Sequence, residues 1–171
     1  QVSTTFNAGT RSGVLQVIAQ TIVGGRTIAS SPIRLTISGG LPDSNSFSVS
    51  LSQVNMAGLI KAGALGSVTA QVGDKFGNPV QPGTALYFSI SGGLIQSTAT
   101  TDNSGQATAS IQGGNPAPNE PTLGGAGHGF ITVQTVGENG ASIKRRAAFL
   151  FSGQSRIVTP SASVLVPDSG A

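Results

Sequence analysis

The sequence predicts an all-β fold built from sandwich modules in series, and three observations support this prediction. The 171 residues are rich in Gly, Ser, Thr, Val and Ala, and only 9% are charged, which is typical of sheets with many turns. Apolar and polar residues alternate with a period of two in several segments. Two stretches of the chain also match each other at an offset of 114 residues (151 − 37), about the length of one sandwich domain.

In four segments in the middle of the chain, apolar and polar residues alternate. This pattern is typical of strands with one buried and one solvent-exposed face, from which antiparallel sandwiches are built. No segment keeps an apolar stripe at helical spacing over three turns. Residues 54–65 come nearest, but Gly58 and Gly63 weaken any helix there, so we expect at most a short helical turn. The four predicted strands are residues 47–51 (FSVSL), 67–72 (SVTAQV), 85–90 (ALYFSI) and 106–111 (QATASI).

Gly, Pro, Asn and Asp cluster between these strands and predict the turns. Residues 74–84 (DKFGNPVQPGT) and 102–105 (DNSG) are expected to reverse the chain, with turn or left-handed dihedrals at Gly77, Asn78 and Gly105. Residues 113–121 are expected to form an exposed loop, and residues 124–129 a flexible approach to the next strand. The fold-defining turn residues are predicted to be Asp74, Gly77, Asn78, Pro79, Gly83, Asp102 and Gly105.

The internal repeat predicts the domain organisation. Residues 12–40 and 128–154 share the order of an apolar strand, a Gly-containing turn, a second strand and Ser-Gly. Residues 41–153 are then one complete module, residues 1–40 are the C-terminal strands of a preceding module, and residues 154–171 are the first strand of a following module or a donor strand. Residues 1–40 are expected to form a three-strand segment with an open edge and half a core.

Two explanations of these incomplete modules stay open. In one, the chain is a polymer subunit, and one copy completes the open segment of the next by head-to-tail β-strand addition. In the other, the chain is an excerpt of a longer tandem array. The residues whose alternation suits a donor strand are Ala162, Val164 and Val166.

The central region carries three linked motifs: Asp-x-x-Gly-Asn-Pro-Val-x-x-Gly at 74–83, Gly-Gly at 92–93 and Thr-Thr-Asp-x-x-Gly-x-Ala-Thr at 100–108. Together they resemble the bacterial immunoglobulin-like domains of group 1, the invasin/intimin type. The resemblance covers residues 64–112 well and 128–153 loosely. It implies an immunoglobulin-like β-sandwich, an extracellular or cell-surface location, roles in spacing and adhesion, and no enzymatic activity.

Few residues are suited to chemistry, so no catalytic, cofactor or metal site is expected. The chain has no cysteine, and its single histidine, His128, lies among glycines in a predicted solvated loop. There is no Gly-x-Ser-x-Gly nucleophile motif and no phosphate-binding Gly-x-x-x-x-Gly-Lys. Residues 102–105 lack the alternating acids and terminal Glu of a calcium loop, although calcium bridging between modules is kept as an alternative.

The charges do not predict nucleic-acid binding. Nine Lys and Arg against six Asp and Glu are mostly scattered, and the one basic run, 144–146, would split between the two faces of a strand. No apolar run approaches the roughly 20 residues of a membrane span. Self-association between neighbouring modules or subunits is the expected partnership.

The favoured hypothesis is a structural building block of a bacterial surface fibre, stalk or adhesin. The second hypothesis is a binding module of an adhesin that recognises a carbohydrate or a host receptor. Such a module would show exposed aromatic side chains, and here only Tyr87 is expected on an outward face, which makes it a weak ligand candidate. The other strand aromatics are expected to pack in the core: Phe47, Phe88, Phe149 and Phe151.

Overall fold

A computed structural model of the chain describes residues 3–154, and in this range the predicted all-β fold is confirmed. The proposed donor-strand residues Ala162, Val164 and Val166 lie outside the described residues. The strands are β1 (Gly13–Val17), β2 (Gln20–Val23), β3 (Arg26–Ala29), β4 (Ile33–Ile37), β5 (Phe47–Leu51), β6 (Asn55–Met56), β7 (Gly63–Val72), β8 (Ala85–Ile90), β9 (Leu94–Ile95), β10 (Thr98–Thr100), β11 (Gln106–Gly113), β12 (Asn119–Glu120), β13 (Gly125–Ala126), β14 (His128–Val136) and β15 (Ser142–Phe151).

Strands β5 to β11, β14 and β15 form a sandwich of two sheets. One sheet has the order β5-β7-β11-β9, and the other has the order β10-β8-β14-β15-β6. Residues 47–56 contribute a strand to each sheet. In the first sheet β5 pairs antiparallel with β7, and in the second β6 pairs parallel with β15. A four-stranded sheet facing a sheet centred on β8, β14 and β15 is the arrangement of an immunoglobulin-like sandwich.

The core of the sandwich is supplied by the predicted alternation. In β11, every second residue is buried and the residues between are exposed, and β8 and β14 follow the same pattern. Phe149 and Phe151 meet edge to face with ring centroids 4.8 Å apart. Phe151 also packs on Gly58 and Gly93, where a Cβ atom would lie less than 3 Å from its ring. The buried apolar residues are Phe47, Met56, Val68, Ala70, Val72, Val80, Leu86, Phe88, Ala107, Ala109, Ile111, Ile131, Val133, Phe149 and Phe151.

The connections differ from the sequence-based expectations in two places. The predicted exposed loop at 113–121 is partly wrong, because Pro118 is fully buried and β12 pairs with β13. The backbone of Pro118 lies against Gly92, where a Cβ atom would be 2.3 Å from the proline nitrogen. The predicted solvated loop position of His128 is wrong, because this residue is half-buried and begins β14. The short helical turn in 54–65 is present, with the amide of Lys61 donating to the carbonyl of Ala57 (2.9 Å).

Ahead of the sandwich, residues 13–37 form a separate antiparallel structure, here called the N-terminal hairpin. It consists of four short strands rather than the three expected: β1 pairs with β4, and β2 pairs with β3 around Gly24 and Gly25. The pairing register repeats that of β14 and β15. Leu15 lies opposite Leu35, and Gly129 lies opposite Phe149, each 114 residues further along (129 − 15 and 149 − 35).

Candidate functional site at the hairpin–sandwich junction

The sequence-predicted turn residues gather at the end of the sandwich that meets the N-terminal hairpin. The turn of residues 74–79 follows β7, and the amide of Asp74 donates to the carbonyl of Asn78 (2.8 Å). We call the junction the contact between this turn and residues 10–12 and 39–40, the two segments that flank the N-terminal hairpin and that we include in it from here on. These two hairpin segments lie directly before β1 and directly after β4, so the register of the hairpin brings them side by side.

Asp74 is the centre of the junction. Its carboxylate is buried, with 4% of the residue exposed, and Oδ1 accepts hydrogen bonds from the amides of Phe76 and Asn78 (both 2.9 Å). Oδ2 accepts from the amide of Gly40 in the hairpin segment (2.9 Å) and from Nδ2 of Asn78 (3.0 Å). Burial alone would raise the pKa of Asp74, but the hydrogen bonds from Gly40, Asn78 and Phe76 outweigh it and lower the pKa to about 2. The charged carboxylate therefore ties the turn to the hairpin.

Asn78 holds the other side of the hairpin with both ends of its side-chain amide. Nδ2 donates to the carbonyl of Thr10 (2.7 Å), and Oδ1 accepts from the amide of Ser12 (3.2 Å). A side-chain amide has one acceptor and two donors, so Asn78 pairs with this backbone segment as the peptide group of a neighbouring strand would. Of the turn or left-handed dihedrals expected at Asn78, the left-handed one is not adopted, because Asn139 is the non-glycine residue with positive φ among the described residues. The junction uses the side-chain amide of Asn78.

Close backbone approach completes the junction. A Cβ atom on Gly39 would lie 2.0 Å from the carbonyl oxygen of Pro79, a distance that no side chain tolerates. The predicted turn glycines Gly77, Gly83 and Gly105 have φ of 79°, 88° and 76°. Gly105 also lies against β7, because its Cβ atom would be 2.5 Å from the carbonyl oxygen of Val72.

The turn at Asp102 lies beside the junction and is stabilised by hydrogen bonds among its own residues. Oδ1 of Asp102 accepts from the hydroxyl of Ser104 (2.7 Å) and from the amides of Ser104 (2.8 Å) and Gln106 (2.9 Å). The hydrogen bond from the Ser104 hydroxyl, followed by those from the two amides, lowers the pKa of Asp102. The carboxylate thus shapes the β10–β11 connection.

The remaining candidates lie apart from the junction. Tyr87 is 54% exposed on the outer face of β8, opposite Thr98 and Gln134. Its outward position is as expected. Nδ1 of His128 is buried without a hydrogen-bond partner among the described residues.

The basic run alternates along β15. Nε of Arg145 donates to the carbonyl of Phe47 (3.0 Å), and a second nitrogen of the same guanidinium donates to the carbonyl of Ser44. Arg146 lies instead over the ring of Phe130, 4.5 Å from its centroid. Arg145 therefore joins the two sheets, whereas Arg146 covers the outer surface.

The junction is suited to mechanical attachment. Within residues 3–154, no three His, Cys, Asp or Glu side chains come together as metal ligands. In the same range, no helix is long and apolar enough to cross a membrane. What the junction does bring together is backbone amides and carbonyls of one segment with the side chains of two turn residues of another.

Sequence reasoning identified one half of the junction and missed the other. Asp74, Asn78 and Pro79 were singled out as turn residues, but their hairpin partners Thr10, Ser12, Gly39 and Gly40 were not. The signal for the glycines was the Ser-Gly-Gly at 38–40, because consecutive glycines at a strand end often mark close backbone contact. Thr10 and Ser12 contribute only backbone groups, which leave no trace in residue type.

Comparison with known proteins gives structural neighbours only. No family model and no curated protein matches the chain. The D00-D0 domain of intimin is similar at 17% identity and a TM-score of 0.46, covering 81% of this chain and 64% of that one. The D0-D1 domain of intimin (15%, 0.43, 82% and 64%) and the Yersinia pseudotuberculosis adhesin InvE (17%, 0.43, 91% and 48%) are also similar. The chain spans 64% of the length of each intimin structure.

Proposed function

We propose that this chain is a non-enzymatic, extracellular structural segment of a bacterial surface fibre, stalk or adhesin, in which immunoglobulin-like modules follow one another end to end. Residues 41–153 are one complete module, residues 1–40 supply the last strands of a preceding module, and residues 154–171 begin a following module or serve as a donor strand. The modules hold a binding end away from the cell, and their contacts with one another transmit force.

The observation that carries this proposal is that the N-terminal hairpin has the register of β14–β15 but lacks their surroundings. In the sandwich, β14 is flanked by β8 and β15 by β6, and a second sheet covers their inner face. Within residues 3–154, β1 and β4 pair only with each other. The aliphatic face that corresponds to the core of the sandwich is exposed, at 39% for Val17, 62% for Ile33 and 40% for Leu35.

Covering the exposed aliphatic face of the N-terminal hairpin with another structural element would stabilise it. Burying a Val, Leu or Ile side chain stabilises a fold by roughly 1.5–3 kcal/mol, and a two-stranded hairpin is marginal in water. A preceding module of the same architecture would supply both neighbouring strands and the facing sheet. Comparison with the sandwich therefore shows which elements would cover the hairpin: a strand on each side and a second sheet over its aliphatic face.

Hydrogen exchange tests the proposal on the purified chain and on native surface material. In the purified chain, we expect amides of β1 and β4 to exchange much faster than those of β7 and β11. In native material, the hairpin amides should be protected at least tenfold more than in the purified chain. Equal exchange of the hairpin in both samples would contradict the proposal.

Electron microscopy tests the location. Antibodies against residues 41–153 should label the surface of intact source cells, along filaments or stalks. Labelling found only after the cells are opened would contradict the extracellular part of the proposal.

Head-to-tail strand complementation is the polymer form of the same proposal. Ala162, Val164 and Val166 repeat the spacing of Phe47, Val49 and Leu51, the inward residues of the first strand of the sandwich. A donor strand with this spacing would extend the N-terminal hairpin of another copy. Filaments that persist after deletion of residues 156–171 would exclude strand exchange at that end.

A binding role for the module rests on Tyr87, whose side chain is exposed on the outer face of β8, between β10 and β14. An exposed aromatic ring on a sheet is suited to stack on a sugar ring. A glycan array is the direct test, with Tyr87→Ala as the variant and Tyr87→Phe as its control. Binding lost in Tyr87→Ala but kept in Tyr87→Phe supports a carbohydrate site, and an array without hits contradicts it.

A further inference from the structure

The cations of the sandwich strands all belong to one of the two sheets. Strands β5, β7, β11 and β9, which form the first sheet, contain no Asp, Glu, Lys or Arg. In the second sheet, β10, β8, β14 and β6 also lack these four residue types. The basic run of residues 144–146 in β15 therefore gives the second sheet a charge that the first does not have.

Alternation along β15 turns two of the three cations outward. Arg145 is directed toward β5, whereas Lys144 and Arg146 are exposed on the outer face of the sheet. Among the described residues, no carboxylate lies within ion-pair distance of either one. Glu138, in the turn between β14 and β15, pairs instead with Lys75 (3.4 Å). The outer face of the second sheet thus presents two cations and no acid from its own strands.

The strand register places Lys144 in one row with the exposed ring of Tyr87. Tyr87 pairs with Gln134 of β14, and Gln134 pairs with Lys144 of β15. On the other side of Tyr87 lies Thr98 of β10. Neighbouring strands lie about 4.8 Å apart, so the backbones of Tyr87 and Lys144 are separated by about 10 Å. The row presents a hydroxyl, an aromatic ring, an amide and an ammonium group in that order.

Arg146 lies in the adjacent row and is held over the surface of the sheet. Its guanidinium lies over the ring of Phe130, 4.5 Å from the centroid, and its Nε donates to the hydroxyl of Thr132 (3.4 Å). Because these contacts already restrict the side chain, binding an anion costs less conformational entropy. The guanidinium has further N–H donors, which are suited to binding a carboxylate or another oxyanion.

We propose that the outer face of β8, β14 and β15 binds an acidic polysaccharide, whose sugar rings carry carboxylate or sulfate groups. One sugar ring stacks on Tyr87, and its hydroxyls bind the side chains of Thr98 and Gln134. The anionic group of a neighbouring sugar pairs with Lys144 or Arg146. This inference rests on the carbohydrate-binding role proposed for Tyr87 and names the class of glycan.

The choice of an acidic polysaccharide follows from charge complementarity. An uncharged glycan would stack on Tyr87 but leave the two cations without partners, and an acidic peptide would pair with the cations without needing the aromatic ring. A glycan that carries anionic groups uses both features of the same face, one strand register apart.

The test is biolayer interferometry of the purified chain on four immobilised polymers at low salt. Polygalacturonate and dextran sulfate supply a sugar with a carboxylate or a sulfate, dextran supplies the sugar alone, and polyglutamate supplies the carboxylate alone. We expect at least one of the two acidic polysaccharides to bind at least tenfold more tightly than dextran and polyglutamate, with an affinity that falls as salt is added. Absence of binding to both acidic polysaccharides, or equally tight binding of polyglutamate, would overturn the inference.

Matched variants locate the binding on this face. Lys144→Gln should weaken binding at least fivefold, whereas Lys61→Gln, which changes the net charge equally but lies in the exposed segment before β7, should stay within twofold. Tyr87→Ala should weaken binding at least tenfold, and Tyr87→Phe should retain it. Thermal unfolding verifies that each variant is folded. Equal losses in Lys144→Gln and Lys61→Gln would show unspecific charge attraction and contradict the proposed face.

The outcome is separable from that of the proposed function. Dextran binding as tight as that of the acidic polysaccharides and lost in Tyr87→Ala would overturn the acidic preference but leave the carbohydrate role of Tyr87 standing. The structural role in a tandem array is tested by hydrogen exchange of the N-terminal hairpin, which lies outside this face.

Discussion

Asp74 shows how one buried carboxylate serves a turn and an attachment at once. Two of its hydrogen-bond donors, Phe76 and Asn78, belong to its own turn, and a third, Gly40, belongs to the hairpin segment. Carboxylates that accept several amide hydrogen bonds are stabilised in the charged form. The residue type recognised in the sequence as a turn former thus contributes a longer-range contact that the turn alone does not require.

The pKa of Asp74 predicts acid sensitivity of the junction. Because the folded-state pKa of about 2 lies below the ordinary value of 3.8, the stabilisation is present above pH 4 and is lost as the pH falls through 2. Its size is on the order of 1–2 kcal/mol, the lower end applying where solvent screens the charge. Urea unfolding between pH 2 and 7 should show Asp74→Asn less stable than the unsubstituted chain at pH 7, with the difference shrinking toward pH 2. A difference independent of pH would contradict the assignment.

Gly105 offers a second residue-scale prediction. Gly105→Ala should lower the free energy of unfolding by about 2–3 kcal/mol, because the added Cβ combines positive φ with a 2.5 Å approach to the carbonyl of Val72. Gly77→Ala is the matched control, with similar φ but open space around the Cβ, and should cost only about 1 kcal/mol. Urea unfolding measures both, and equal losses would show that the contact with β7 is unimportant.

At the scale of elements, the β1–β4 and β14–β15 hairpins have the same pairing register but differ in how far their side chains are buried. Leu15 and Leu35 oppose each other in one, and Gly129 and Phe149 oppose each other in the other. A pair of leucines corresponds to a glycine and a phenylalanine, so the side-chain volume of the second pair lies on one strand only. Phe149 is buried and Leu35 is not, because within residues 3–154 a second sheet faces β14–β15 and none faces β1–β4.

This difference predicts unequal effects of matched substitutions. Phe149→Ala should destabilise the sandwich by about 3–5 kcal/mol, since it leaves a cavity in a closed core. Leu35→Ala should change the unfolding of the sandwich in the purified chain by less than about 0.5 kcal/mol, because its side chain is half-exposed. Denaturant unfolding monitored on both variants checks this. A large effect of Leu35→Ala would mean that the hairpin is part of the cooperative core.

At the scale of the whole molecule, the sandwich is expected to fold without the N-terminal hairpin. Among the described residues, the hydrophobic core lies within 47–151, so removal of residues 1–38 costs the sandwich only the junction contacts, about 1–3 kcal/mol. Circular dichroism and urea unfolding of residues 39–171 should show a cooperative β protein. A chain that is unfolded after this deletion would contradict the module boundaries proposed here.

The sequence predicted much of the fold because period-two alternation is a local consequence of burying one face of a strand. The bounds of β5 and β8 agree with their sequence segments, and the inward positions of Phe47, Phe88, Phe149 and Phe151 are confirmed. The short strands β9, β10, β12 and β13 were not predicted, because two or three residues are too few to show a period. Pro118 and His128 were misplaced because their burial depends on distant neighbours: Pro118 lies against Gly92, and the ring of His128 lies against Gly124.

The sequence by itself determined the longer strands of the sandwich, the turn residues and the 114-residue repeat, because each is encoded in residue type at fixed spacing. Only the tertiary structure decided which of these residues meet: Asp74 and Asn78 bind backbone groups of residues 10–12 and 40, and the carbonyl oxygen of Pro79 occupies the space beside Gly39. The physical reason is that backbone amides and carbonyls are the same in every residue. Contacts made through them become visible only when the chain brings them within hydrogen-bonding distance.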